Sequence, residues 1–78
     1  MNEFNKLKKS YAAIIQFGLL TNAGYQNCKA ANEFFHQFFE TCVDNSNYSE
    51  ADKSVMKLEL ELLKDTLSKE IENCYQYR

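Results

Sequence analysis

The 78-residue chain contains no proline and no tryptophan, only two glycines and a single histidine. This composition excludes collagen-like chains and flexible linkers, and an apolar fraction of 45% excludes an intrinsically disordered protein. A net charge of −2 leaves no overall basic field to attract nucleic acid or an anionic membrane. A chain of this length can build one modest hydrophobic core, so we expect residues 1–78 to form a single domain.

The sequence also lacks the usual arrangements of catalytic and metal-binding residues. Because His36 is the only histidine, no serine or cysteine has an evident general base. We place His36 on the polar face of a helix, as a solvated side chain. There is no phosphate-binding glycine loop, EF-hand loop or zinc-type Cys/His spacing. We therefore expect a protein that is not an enzyme and that takes no metal, other cofactor or small-molecule substrate.

Three cysteines, Cys28, Cys42 and Cys74, cannot all pair within one chain. Each lies on an apolar stripe, where a reduced cysteine behaves as a small hydrophobic residue. The sequence therefore predicts three buried free thiols and a reducing, cytoplasmic location.

The apolar run Tyr11–Leu20 follows three lysines, as the apolar part of a secretory signal peptide does. Gln16 interrupts the run, however, and the apolar residues recur with a helical period that a signal peptide does not need. Ten residues are also too few to cross a bilayer. We therefore expect this run to belong to the first helix of a protein without membrane contact.

Two groups of turn-forming residues divide the chain into helical segments at about residues 2–20, 25–43 and 50–75. Apolar residues recur in each segment at steps of three and four, which is typical of amphipathic helices. Because short connections make neighbouring helices antiparallel, the sequence predicts an all-α, up-down-up three-helix bundle. The expected core positions are Phe4, Leu7, Tyr11, Ile14, Ile15 and Gly18, then Cys28, Ala31, Phe35, Phe38 and Cys42, then Met56, Leu60, Leu63, Leu67, Ile71 and Cys74.

The turn-forming residues also predict how the helices begin and end. Gly24 can close the first helix in the left-handed conformation. The run Asp44–Asn47 separates the second and third segments. Ser49, with Asp52 three residues later, has the pattern of a helix N-cap.

The third segment carries more apolar residues than one core face needs. A second set, which we call the outer stripe, follows steps of four, three and four and consists of Ala51, Val55, Leu58 and Leu62. It lies well away from the core face of Met56 and Leu60, in places nearly opposite to it. The outer stripe either packs against the other two helices or contacts another chain, which is then a second copy or a different protein.

Two further groups of aromatic residues leave alternatives open. Four phenylalanines at positions 34, 35, 38 and 39 span about 140° of the second helix. They either fill a wide core face or leave Phe34, beside Phe38, as an aromatic anchor for a partner. The third segment is the longest, so its end, with Tyr75 and Tyr77, should extend past the hairpin and be either frayed or docked.

These features predict a small helical protein that binds another protein, a second copy of itself through the third helix, or both. It would occlude or modulate its partner as an inhibitor, immunity protein, chaperone or adaptor, a type common among bacterial phages and other mobile elements. The residues assigned to partner binding or self-association are Ala51, Val55, Leu58, Leu62, Phe34, Phe38, Tyr75 and Tyr77.

A resemblance supports a second hypothesis. The segment Leu20–Ala31, with its Ala-Gly-Tyr turn, resembles the turn and second helix of helix-turn-helix proteins. This resemblance implies a DNA-binding regulator that uses residues 20–32, with Asn27, Lys29 and Asn32 as the side chains available for base contacts. Nucleic acid is the less favoured partner, because the segment offers no arginine to bind guanine.

Overall fold

The computed structural model describes residues 2–76, which form three α-helices joined by two short turns. Helix α1 spans Asn2–Leu20, α2 spans Tyr25–Asp44 and α3 spans Glu50–Gln76. Each helix packs against the other two, and no strand occurs among the described residues. The predicted all-α three-helix bundle is therefore confirmed. None of its helices combines the length and the apolar character that crossing a bilayer requires.

The turn between α1 and α2 differs from the prediction in the residue that closes α1. Asn22 adopts the left-handed conformation, with φ of 58°, whereas Gly24 has φ of 105° and ψ of 148°. The Ala23 N–H donates to the Gly18 carbonyl, and the Asn22 N–H donates to the Leu19 carbonyl. This pair of hydrogen bonds defines a Schellman C-cap. Asparagine tolerates positive φ, so it ends α1 and leaves Gly24 to begin α2.

The start of α3 is capped as predicted. The Ser49 Oγ accepts a hydrogen bond from the Asp52 N–H at 3.2 Å. Glu50 and Asp52 also place negative charge in the first turn, where the helix dipole favours it. The cap and the two acids fix the point at which the chain turns back along α2.

The buried apolar side chains come from all three helices. They are Phe4, Tyr11, Ile15, Cys28, Val43, Met56, Leu60, Leu67 and Ile71. In α1 and α3 the buried positions are ones that the apolar spacing predicts. Ile14 was expected in the core but is 38% exposed, so that prediction is wrong.

In α2 the inward face differs from the predicted one. Asn32 and His36 are buried, whereas Phe38 and Cys42, both expected in the core, are exposed. The prediction failed because it turned the most apolar residues inward. The buried Tyr11 hydroxyl needs a polar partner from a neighbouring helix, and this need outweighs the apolar pattern of α2.

Asn32 is that partner, and it connects all three helices. The Tyr11 hydroxyl donates to the Asn32 side-chain Oδ1 and backbone carbonyl. The Asn32 Nδ2 in turn donates to the Lys64 carbonyl at 3.1 Å and to the Ser68 Oγ at 3.0 Å. Because Tyr11 and Asn32 are almost completely inaccessible to water, rotating α2 would leave several buried polar groups unpaired. This network therefore fixes the rotation of α2.

The end of α3 is docked on the turn between α1 and α2. The Tyr75 hydroxyl accepts a hydrogen bond from the Gly24 N–H at 3.0 Å, and the Tyr75 ring meets the Tyr25 ring edge-on at 5.9 Å. The end of α3 was expected to be either frayed or docked, and the structure shows that it is docked, through Tyr75, on the turn of its own chain. Tyr75 is half-buried in this contact, and its assignment to partner binding stays a prediction. Tyr77 lies outside the described residues.

Helices α1 and α3 run parallel to each other, and two contacts define their register. The Lys8 ammonium lies 3.1 Å from Glu59, and the Gly24 amide bonds to Tyr75. Both pairs are separated by 51 residues in sequence, so the same offset holds at the two ends of the bundle. The up-down-up order follows from this register.

The cysteines are free in the structure. Cys28 is buried, with its Sγ 3.8 Å from the Tyr75 hydroxyl, and Cys74 is half-buried. The prediction of three buried thiols is wrong for Cys42, which is exposed. The same rotation of α2 that buries Asn32 turns Cys42 outward.

The network between Tyr11 and Asn32 generates a double-mutant prediction. Tyr11→Phe removes the donor to a buried carbonyl oxygen, so we expect it to lower the free energy of unfolding by about 1–3 kcal/mol. The double variant Tyr11→Phe/Asn32→Leu removes both polar ends and should cost less than the sum of the two single variants. Urea unfolding followed by circular dichroism measures all three. Strict additivity would contradict the coupling.

Burial raises the pKa of the Tyr11 phenol above its ordinary value of about 10. The folded protein holds the phenolic proton of Tyr11 more tightly than the unfolded chain does. The buried neutral phenol therefore contributes its full share to the free energy of unfolding below pH about 10. This contribution is lost as the pH rises further, through the pKa of the folded state. We expect the Tm of the wild type to fall more steeply above pH 10 than that of Tyr11→Phe. Equal alkaline slopes for the two proteins would contradict this assignment.

Candidate functional site

The outer stripe of α3 is exposed along its length. The side chains of Val55, Leu58 and Leu62 are 53%, 61% and 58% exposed, and Ala51 is exposed as well. Neither α1 nor α2 covers this surface within residues 2–76. The stripe is therefore apolar surface that the fold of the described chain does not use.

The local sequence explains why the stripe faces away from the bundle. Residues two apart on an α-helix point about 200° from each other, so the alternation Leu58, Leu60, Leu62 cannot lie on one face. Leu60 is completely buried, and the leucines on either side of it consequently face solvent. The alternation of leucines at positions 58, 60 and 62 therefore gives a helix with apolar side chains on two opposite sides.

Exposed acids lie beside the outer stripe. Asp52, Glu61 and Asp65 are all exposed and fall on its two flanks at 100° per residue. Glu59, on the flank toward α1, is paired with Lys8. The outer surface of α3 is therefore apolar along its middle and negatively charged along its edges.

Two lysines of α3 face α2 rather than the stripe. The Lys53 ammonium donates to the Asp44 carbonyl at 2.9 Å, and the Lys57 ammonium contacts the Asp44 carboxylate at 2.8 Å. The hydrogen bond to Asp44 and the charge of that carboxylate raise the pKa of Lys57. These lysines neutralise the end of α2 and do not border the stripe.

At Leu62 the outer stripe adjoins a groove between α1 and α3. Its lining residues are Asn5, Lys8, Lys9, Ala12, Glu59, Leu62 and Leu63. The lining combines apolar side chains with two lysines of α1 and with Glu59, which Lys8 contacts. The groove extends the apolar surface of the stripe toward α1.

A second apolar surface, the aromatic edge, consists of Phe34 and Phe38 on α2, which are 63% and 51% exposed. Each ring contacts a half-buried neighbour. The ring centres of Phe34 and Phe35 are 5.1 Å apart, and those of Phe38 and Phe39 are 5.3 Å apart. Phe39 in turn lies 5.6 Å from Tyr11 of α1. The aromatic edge therefore extends outward from the core on the α1 side of α2, separate from the outer stripe.

His36 lies on the other side of α2, and the expectation that it is solvated is wrong. Its side chain is only 8% exposed, and its Nε2 has no hydrogen-bond partner among the described residues. The closest carboxylate oxygens are those of Glu61 at 3.7 Å and Glu40 at 3.9 Å. We call these three residues the His36 cluster. His36 is buried because it follows Asn32 by four positions, and so shares its inward face.

The amino-acid sequence alone does not predict the His36 cluster, and the reason is physical. The i,i+4 spacing of His36 and Glu40 is visible in the sequence and places both on one side of α2. Glu61 belongs to another helix and reaches them only through the packing of α3 on α2. Nothing in the sequence indicates that third residue.

The three polar side chains that the helix-turn-helix resemblance offers for base contacts each contact other residues of this chain. Asn32 is buried in the network with Tyr11, so its proposed role in reading bases is wrong. The Asn27 amide donates to the Ala23 carbonyl at 2.7 Å, and the Lys29 ammonium lies 5.0 Å from the centre of the Tyr25 ring. The structure therefore adds no support to DNA binding by residues 20–32.

No protein-family model matches the chain, and comparisons with curated proteins and with solved structures find no match. What the protein does is therefore inferred from its own residues.

A matched pair of variants tests whether the outer stripe is dispensable for folding. Leu60→Ala should lower the free energy of unfolding by about 2–5 kcal/mol, because it opens a cavity in the core. Leu58→Ala makes the same change two residues away and should cost well under about 1 kcal/mol, because the side chain is exposed. Thermal and urea unfolding give both values. Similar losses in the two variants would show that the stripe is part of the core.

Proposed function

We propose that this protein binds another protein through the outer stripe of α3 and acts by occluding the surface that it covers. The observation that supports this proposal is the row of exposed Val55, Leu58 and Leu62, which the described fold leaves uncovered. Single exposed leucines are ordinary, whereas a continuous row of aliphatic side chains is a feature of interaction surfaces.

The dimensions of the stripe fit a helical or extended segment of a partner. From Ala51 to Leu62 it covers three helical turns, or about 17 Å. Grooves and faces of this length bind amphipathic segments through a few apolar anchors at helical spacing. Complete burial of a leucine or valine side chain contributes about 1.5–3 kcal/mol, so covering what is exposed of the three anchors contributes a few kcal/mol.

The acids beside the stripe favour a partner segment with lysine or arginine at its edges. In a symmetric dimer through α3, the stripes would meet face to face and bring Asp52, Glu61 and Asp65 close to the same residues of the second copy. Lys53 and Lys57 bond to α2 and are turned away from this contact. Like charges across an interface oppose association, so the charge pattern favours a basic partner over a second copy.

The proposed activity is occlusion rather than catalysis. A protein of this kind serves as an inhibitor, an immunity protein, a chaperone or an adaptor, and we propose that it does so in the cytoplasm without enzymatic activity. In all of these roles the apolar anchors determine the affinity, and the acidic edges select the partner.

A photo-crosslinking experiment tests the proposed surface. A photoreactive residue replaces Leu58 in the full chain, and a matched variant carries it at Phe38 on the aromatic edge. In lysate of the native host, we expect crosslinking from position 58 to a segment that is both apolar and basic. A synthetic peptide of that segment should bind the wild type. It should bind Leu62→Glu at least tenfold more weakly, because the substitution adds charge to an apolar contact.

The same experiment separates the alternatives. Phe38→Glu should bind the peptide as the wild type does, and light scattering should give the mass of a single chain. Crosslinking of position 58 to its own chain, with a dimer mass that Leu62→Glu abolishes, would make a second copy the occupant and overturn the proposal. Crosslinking from position 38 alone would assign binding to the aromatic edge instead, with the same consequence.

A further inference from the structure

We propose that the His36 cluster is a binding site for a divalent transition-metal ion of the zinc class, held between α2 and α3 by His36, Glu40 and Glu61. The proposal rests on the placement of the three side chains rather than on the presence of acidic groups alone. An imidazole nitrogen that is buried and unpartnered faces two carboxylates from two helices.

The imidazole is the first observation that points to a ligand. His36 is more than nine-tenths buried, and buried polar atoms in proteins almost always have a hydrogen-bond partner. The distances from Nε2 to the carboxylates of Glu61 and Glu40, 3.7 and 3.9 Å, exceed the length of a hydrogen bond. The gap between the three groups is of the size that an ion fills.

The geometry fits metal coordination after a small adjustment. One ligand atom from each of the three residues lies within 4.8 Å of the other two. With metal–ligand bonds of 2.0–2.2 Å, the ligand atoms of a tetrahedral zinc site are about 3.4 Å apart. Rotation of the two glutamate side chains can bring the ligand atoms from within 4.8 Å of one another to the shorter separation of a zinc site. Both side chains have room to rotate, since Glu61 is well exposed and Glu40 is partly exposed.

The ligand types select the class of ion. An imidazole nitrogen with two carboxylates suits Zn²⁺ and its neighbours in the transition series, whereas Mg²⁺ and Ca²⁺ prefer oxygen ligands throughout. The two carboxylates also balance the charge of a divalent ion. Three protein ligands leave one tetrahedral position for water, on the exposed side of Glu61.

The neighbouring lysine does not occupy the site. Lys57 is close enough to Glu40 for the carboxylate charge to raise the lysine pKa, but its ammonium bonds to Asp44 at 2.8 Å. The carboxylate oxygens of Glu40 are therefore left to face His36. An ion bound there would join α2 to α3 near the middle of their contact.

Because His36 is the only histidine, its imidazole signals in proton NMR report this site alone. The untagged full chain is titrated with ZnCl₂ after removal of metals by a chelator. We expect the His36 signals to change until one equivalent has been added. The Tm should rise by roughly 10 °C or more at a hundredfold excess over the Kd. The same concentration of MgCl₂ should leave both unchanged. His36 signals that do not respond to ZnCl₂ would overturn the proposal.

Conservative variants then assign the ligands. Glu61→Gln and Glu40→Gln keep the size of each side chain, and each should weaken Zn²⁺ binding at least tenfold, since even indirect partners of a metal ligand contribute that much. Glu33→Gln, on the same helix as His36 but outside the cluster, is the matched control and should bind as the wild type does. Wild-type affinity in both cluster variants, or binding that Cys42→Ser abolishes, would place the ion elsewhere and overturn the assignment.

Discussion

A tyrosine hydroxyl that folding removes from water needs a hydrogen-bond partner, and this requirement determines how the helices of the bundle face one another. Tyr11 finds its partner in Asn32, whose amide also bonds to the backbone of α3 and to Ser68. With Asn32 turned inward, His36 one turn later is buried too, and Phe38 faces outward. The polar cluster, the aromatic edge and the exposed thiol of α2 all follow from this one rotation.

The same constraint explains part of the apolar surface that the bundle leaves exposed. Three helices of this length enclose a single row of core side chains, and α2 contributes two polar residues to it. Phe38, which was expected in that space, lies outside at the aromatic edge. The outer stripe has a different origin, since the helical period of α3 turns Leu58 and Leu62 away from buried Leu60. The outer stripe differs from the aromatic edge in its chemistry, because its anchors are aliphatic and its borders carry negative charge. This difference is the physical basis for assigning the partner to α3.

The sequence predicted the helices well because their signals are local. The spacing of Met56, Leu60 and Leu67 and the cap at Ser49 depend only on residues a few positions apart. The same spacing separates Leu58 and Leu62 from the core face, but it left open whether another helix of the chain covers them. The inward face of α2 could not be predicted in the same way, since it depends on Tyr11, which is 21 residues from Asn32. The His36 cluster is a second case: Glu61 completes it only when α3 packs on α2. The helices, which depend on local spacing, were predicted, whereas the rotation of α2 and the His36 cluster, which depend on contacts between helices, were not.

The contact between Tyr75 and Gly24 has a consequence for the order in which the bundle forms. Each hairpin requires the closure of only a short turn, whereas Tyr75 and Gly24 are 51 residues apart in the chain. The entropy lost on closing a loop grows with its length, so this contact forms late, after the hairpins have brought the two ends together. We therefore expect the last turn of α3 to open without unfolding of the whole bundle, and the Gly24 amide hydrogen, which this turn protects, to exchange with solvent through that opening.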